Sequence, residues 1–203
     1  MADSYVVAEA PGATPTAPVL FLFHGTGGDE QQFFALGPQL VPGARIVALR
    51  GDFSEHGALR YFKRMGEGRY DMADLARAVG KLTGFVRAQR GAAERVLAFG
   101  YSNGANIIAA TQFAAPDLFD RVALLHPLIP FEPAPQPGLS GKAVLITAGR
   151  ADPLCPVPAT EALAQWYEAQ GAAVELHWHD GGHQLRQEEL LAARNFLGGS
   201  VAR

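Results

Sequence analysis

A single cysteine, Cys155, in 203 residues excludes an internal disulfide framework and any structural zinc site built on several thiolates. Its place between Leu154 and Pro156 reads as a small packed side chain rather than a reactive thiol. Strong charge of either sign is missing as well. With a net charge of −3 and 18% charged residues, the chain has no electrostatic footprint for nucleic acid or an anionic membrane. No apolar run reaches the roughly 18 residues needed to span a bilayer. Near Asp3 there is no basic stretch leading into an apolar one, as a signal peptide requires, so the expected location is cytoplasmic. Repeats and shifts of composition are absent, and one domain over residues 1–203 is expected, large enough to bury a substantial core. After Gly25-Thr26-Gly27-Gly28 no Gly-Lys-Ser/Thr follows, and Glu30 stands where a third glycine of G-x-G-x-x-G belongs, which argues against a phosphate-binding loop.

What is present is an alternation of apolar runs and helical patterns. Strands are expected at Ser4–Ala8, Val19–Phe23, Ile46–Leu49, Arg95–Phe99, Val122–Leu125, Ala143–Thr147 and Ala173–Trp178. Helices are expected after the N-cap Asp71, where Met72, Leu75, Val79, Leu82 and Val86 form one apolar face, after Ser102, over Thr160–Gln170 closed by Gly171, and over Gln187–Leu197. Such alternation predicts an α/β fold, a mostly parallel central sheet with helices on both faces. Arg50–Tyr70 reads as a polar and aromatic loop, and the proline-rich stretch 127–137 as a rigid connection or pocket wall.

The strand at Arg95–Phe99 runs into Gly100-Tyr101-Ser102-Asn103-Gly104, a G-x-S-x-G elbow in the strand–turn–helix setting that the motif needs. So sharp a turn strains the serine backbone and brings neighbouring backbones close, which is why residues without a Cβ flank it. A serine hydroxyl is a poor nucleophile until a base takes its proton, and that base needs an acid to orient it. Working residues in parallel sheets come from loops at the carboxyl ends of strands. Asp152, in the loop after Ala143–Thr147, is the candidate acid, ahead of Asp180 and Asp52. His183, in Gly181-Gly182-His183 after the last strand, is the candidate base. His24 precedes the serine, against the elbow's usual chain order; His126 ends a strand with no acid following it in a suitable loop; His177 and His179 read as packed or surface residues. The oxyanion donors expected are the backbone N–H groups of Asn103 and Thr26, with His24 tying the glycine loop down. A zinc set of His177, His179, Asp180 and His183 would need His183 to fold back, so neither metal nor other cofactor is expected.

Together, His24-Gly-Thr-Gly-Gly-Asp-Glu, Gly100-Tyr-Ser-Asn-Gly-Ala-Asn, Gly149-Arg-x-Asp-Pro and Gly181-Gly-His resemble the phospholipase/carboxylesterase family of the α/β-hydrolase superfamily, over about Val19 to Phe196. The segment from Arg50 to Asp71 resembles a bacterial subset of quinone- and hydroquinone-response hydrolases. Dienelactone hydrolases are near relatives with a cysteine nucleophile, where this chain has serine. The resemblance implies a three-layer α/β-hydrolase fold without a cap domain. It also implies a metal-free serine esterase with a Ser102–His183–Asp152 triad.

The function expected is cleavage of short or medium acyl or aryl esters, small-molecule substrates, through an acyl-enzyme. Thioesterase or lysophospholipase activity on the same triad and a non-catalytic ligand-binding module are the alternatives. Phe53, Tyr61, Phe62, Met65, Leu128 and Ile129 are the candidates for an apolar substrate pocket. Arg60, Lys63, Arg64 and Arg69 read as a solvated face. No nucleic-acid or membrane partner is expected, and a homodimer is the commonest oligomer for such a chain.

Overall fold

A computed structural model describes residues 4–199. Residues 1–3 and 200–203, which the one-domain expectation also covers and which include Asp3, lie outside the described residues. The strands of the main sheet are β1 (Val7–Ala10), β2 (Val19–Phe23), β3 (Arg45–Leu49), β4 (Val96–Tyr101), β5 (Arg121–Leu125), β6 (Ala143–Gly149) and β7 (Ala173–His179). They form a seven-stranded sheet in the order β1-β3-β2-β4-β5-β6-β7. Only β1 is antiparallel to its neighbour; all other pairs are parallel. The helices are α1 (Gly37–Leu40), α2 (Met72–Arg90), α3 (Asn103–Ala114), α4 (Val157–Ala169) and α5 (Gln187–Gly198).

Alternation along the strands divides the core in two. Phe21 and Phe23 of β2, Val96 of β4 and Ile146 of β6 pack toward α2, α3 and α4. Leu20, Leu22, Leu97, Phe99 and Leu145 point to the other face, against Leu40 of α1 and Ala193, Phe196 and Leu197 of α5. Burying each large side chain contributes about 1.5–3 kcal/mol before entropy is counted. The result is three layers, with no cap among the described residues. None of the helices is long and apolar enough to cross a membrane.

Asp71 caps α2 as its position predicts, its carboxylate accepting the Asp74 N–H at 3.0 Å. The first strand differs from expectation, lying at Val7–Ala10 rather than Ser4–Ala8, because register against β3 rather than local pattern selects it. The expected loop over Arg50–Tyr70 contains two small hairpins, Phe53–Glu55 with Ala58–Arg60 and Arg64–Gly66 with Arg69–Tyr70. Strands of two or three residues are too short to leave a periodic signal.

The elbow depends on close approach. A Cβ on Gly104 would stand 2.5 Å from Phe23 O and 2.6 Å from His24 O. Since backbone cannot retreat as a flexible side chain can, Gly104→Ala is expected to destabilise the fold by about 1–3 kcal/mol. Urea unfolding checks this; an unchanged midpoint would mean that α3 does not need this seat against β2.

Candidate active site

Ser102 joins β4 to α3 with φ 51° and ψ −117°, a conformation in which a non-glycine residue stores strain. Its N–H donates to Leu125 O at 2.8 Å, which ties the turn to β5. The Ser102 hydroxyl lies 2.9 Å from His183 Nε2. On the other side of that ring, Nδ1 lies 2.7 Å from Asp152 Oδ2. The three residues singled out by motif and loop position thus form one hydrogen-bonded chain. They come from loops after β4, β6 and β7, at the carboxyl ends of parallel strands.

Asp152 has a fully buried side chain. Its Oδ1 accepts the N–H groups of Leu154 at 2.8 Å and Cys155 at 3.1 Å. Burial pushes this carboxyl up, but hydrogen bonds from His183, His126 and Leu154 outweigh that and leave it below its ordinary value. The carboxylate is therefore held ionised and aimed. Of its competitors, Asp180 is exposed, and Asp52 pairs with Arg77 at 3.2 Å and Lys81 at 2.8 Å.

His24 ties the glycine loop down: its Nε2 accepts the Gly51 N–H at 2.8 Å, and its N–H donates to Tyr61 Oη at 3.1 Å. In that loop Gly25 N–H donates to Gln32, Gly27 N–H to Leu59 O and Gly28 N–H to Gly25 O. The N–H groups of Thr26 and Asn103 donate to no group among the described residues, and both residues line the cleft beside Ser102. Both are therefore free to donate into the cleft.

The cleft has a volume of about 320 Å³ and opens over Ser102 and His183. Its walls include Arg60, Arg64, Glu67, Tyr70, Leu128 and Leu154. Of the six expected pocket residues, only Leu128 lies there. Tyr61 and Phe62 are fully buried and pack with Phe23 and α2, and Ile129 is also buried in that core. Met65 is 64% exposed, and Phe53 lies under the Lys63 ammonium. Aromatic and aliphatic residues in a loop carry no sign in the sequence of whether they face a core or a cleft. Arg60 also departs from the expected solvated face: it is buried and donates to Thr26 Oγ1 at 2.7 Å.

The sequence does not single out a second set of groups behind Asp152. His126, at the end of β5, has Nδ1 2.7 Å from the same Asp152 Oδ2. Its Nε2 lies 3.0 Å from Glu189 Oε1 and 3.4 Å from His179 Nε2. Glu189 also accepts from Thr147 Oγ1 at 2.6 Å and from the Arg186 N–H at 2.8 Å. Burial raises the Glu189 carboxyl, and hydrogen bonds from His126 and Thr147 more than reverse that. For His126, burial lowers the imidazole, and its bonds to Glu189 and Asp152 raise it above the ordinary value. Nothing in the chain pattern identifies Glu189, which in sequence is one of two adjacent acidic residues at the start of α5.

His126, His179 and Glu189 place their ligand atoms within 4.8 Å of one another, a grouping that includes neither His177 nor Asp180. The donor chemistry does not suit a metal. His179 Nδ1 accepts the Gly181 N–H at 2.9 Å, so the ring proton lies on Nε2 and leaves no lone pair there. Metal-bound histidines instead donate from their second nitrogen. Cys155 is buried, its thiol pushed up by burial, and its Sγ donates to His126 O at 3.2 Å.

A family model described as Dienelactone hydrolase family matches residues 33–189. The Bacillus subtilis (strain 168) protein "Putative hydrolase MhqD" is 40% identical over 185 residues, covering 88% of this chain and 91% of that protein. The crystal structure of Atu2452, a protein of unknown function from Agrobacterium tumefaciens, is 50% identical with a TM-score of 0.91, covering 97% of this chain and 98% of that one. A Bacillus cereus carboxylesterase is 34% identical with a TM-score of 0.87, covering 95% of this chain and 93% of that one.

Proposed function

Since the chain belongs to the dienelactone hydrolase family of the α/β-hydrolase superfamily, we propose that it is a serine hydrolase that cleaves carboxylic esters through an acyl-enzyme. The observation that carries this is the hydrogen-bonded chain of Ser102 Oγ, His183 and Asp152, at 2.9 and 2.7 Å, under an open cleft. Ser102 attacks the ester carbonyl while His183 takes its proton and passes it to the leaving alcohol. Asp152 holds the imidazole in the tautomer whose Nε2 can accept. The N–H groups of Asn103 and Thr26 stabilise the negative charge that develops on the carbonyl oxygen. Water then attacks the acyl carbon as His183 takes its proton, and the carbon–Oγ bond breaks, releasing the acid while His183 returns the proton to Ser102. Serine at position 102 runs this cycle without the thiolate of the cysteine relatives.

Cleft size and lining support a small substrate. A volume of about 320 Å³ with Leu128, Leu154 and Tyr70 among its lining residues suits a short acyl or aryl group. Hydrolysis of p-nitrophenyl esters from acetate to palmitate tests this. Turnover is expected to peak at short chains; a maximum at palmitate would overturn the substrate class, and no turnover on any ester with Ser102 unlabelled by a fluorophosphonate would overturn the reaction.

A further inference from the structure

Asp152 Oδ2 faces two imidazoles, and the hydrolytic cycle uses only one. His126 Nδ1 lies 2.7 Å from that oxygen, the same distance as His183 Nδ1. Nδ1 of His126 must carry a proton, because an ionised carboxylate has none to give. On the far side of the ring, Nε2 is 3.0 Å from Glu189 Oε1. A neutral ring would present a lone pair to an oxygen that already accepts from Thr147, placing two acceptors in contact. A second proton therefore lies on that line. Glu189 is supplied with donors from Thr147, Arg186 N–H and His179, and carboxylates so supplied stay ionised. The proton belongs to the ring.

From this geometry we propose that His126 is a buried imidazolium clamped between Asp152 and Glu189, and that it serves as a positioning residue which keeps His183 neutral, and able to act as base, at lower pH. The inference rests on the serine-hydrolase reading. The His126 and His183 rings are 5.1 Å apart, close enough for one positive charge to oppose another. By sharing Asp152 Oδ2, His126 also withdraws part of the negative charge that would otherwise favour a proton on His183. The groups facing His126 are Asp152, Glu189, His179, His183 and the edge of Tyr101, with Cys155 at its carbonyl. No lysine or arginine side chain is among them, so the ring is the counter-charge for both buried carboxylates.

The backbone is built to hold this ring. His126 has φ 52°, and among the described residues only Ser102 and His56 share a positive φ without being glycine. His56 sits in a hairpin turn. At His126 the strain persists because its N–H donates to Thr147 O at 2.8 Å and Cys155 Sγ holds its carbonyl. Strain retained away from a turn marks a side chain whose direction matters.

The test is the rate of Ser102 labelling by a fluorophosphonate as a function of pH, in wild type and His126→Gln, since this readout needs no knowledge of the substrate. In wild type the rate falls as His183 takes up a proton. In His126→Gln the midpoint of that fall is expected to move up by about one pH unit, the order of effect of one nearby charge. An unmoved midpoint in a variant with native circular dichroism overturns the proposal, because a merely structural role would change amplitude or stability alone. Should the variant fail to fold, the ring of wild-type His126 remains observable by ¹⁵N NMR. Protons bonded to both nitrogens at a pH where an ordinary histidine is neutral are expected, and a singly protonated ring there overturns the proposal. Wild type that is not labelled at any pH refutes the serine-hydrolase reading and this role with it, while leaving the protonation of His126 to be read independently.

Discussion

Ser102→Ala is expected to lower kcat by a factor on the order of 10⁴–10⁶ with the fold intact. Without Oγ there is no covalent intermediate, and His183 has no hydroxyl to deprotonate. The remaining acceleration comes from the oxyanion donors and from binding, which act on any water that reaches the carbonyl. Alanine keeps the strained φ of 51° and gives no relief from it, so thermal stability should change little. The comparison is made on the best ester of the p-nitrophenyl series together with fluorophosphonate labelling. Activity within tenfold of wild type would remove Ser102 as nucleophile. Another group lining the cleft would then have to attack, and the Cys155 thiol is a poor choice because burial holds it in its unreactive form.

Asp152→Asn carries the second largest expected effect, a loss of about 10⁴-fold in kcat. The reason is a conflict of donors. The two oxygens of Asp152 accept from His183 and His126 on one side and from the Leu154 and Cys155 N–H groups on the other. An asparagine has one acceptor and one donor end. With its NH₂ toward the imidazoles, His183 must present Nδ1 as acceptor and carry its proton on Nε2, the tautomer that cannot take a proton from Ser102. With its NH₂ toward the backbone, it opposes two N–H groups in a buried site, at about 1–3 kcal/mol. Both orientations lower stability, the first because the NH₂ also opposes the His126 Nδ1–H, and only the first takes the acceptor from His183 Nε2. Steady-state kinetics separate the two, and chemical denaturation measures the loss of stability. A variant retaining a tenth or more of the wild-type kcat would show that another group orients His183.

The architecture was largely legible. Val19–Phe23 reads as a strand covered on both faces because all five of its residues are apolar, and each is buried. The 3.6-residue spacing from Met72 to Val86 likewise specifies a helix, and Asp71 marks where it starts. In the site, the glycines on either side of Ser102 announce a turn that local sterics require. The loops after β6 and β7 then limit where an acid and a base can stand.

Other features carry no local signature. Whether Tyr61 and Phe62 face a cleft or a core depends on how two short hairpins fold over β3 and α2, and hydrophobicity alone is the same in both cases. No acid follows His126 in its own loop; its two carboxylates arrive instead from the loop after β6 and from the first turn of α5. Periodicity and turn chemistry act over a few residues, so the sequence by itself determined the long strands and helices, the elbow and the chain order Ser102, Asp152, His183, but not the bounds of β1, the short helix α1 or the two small hairpins. Only the tertiary structure decided which side chains share a buried space. Burial by itself disfavours a proton held between His126 and Glu189; the hydrogen bonds and charges of Glu189 and Asp152 outweigh that, and the Glu189 partner is in place only once α5 has packed against the sheet.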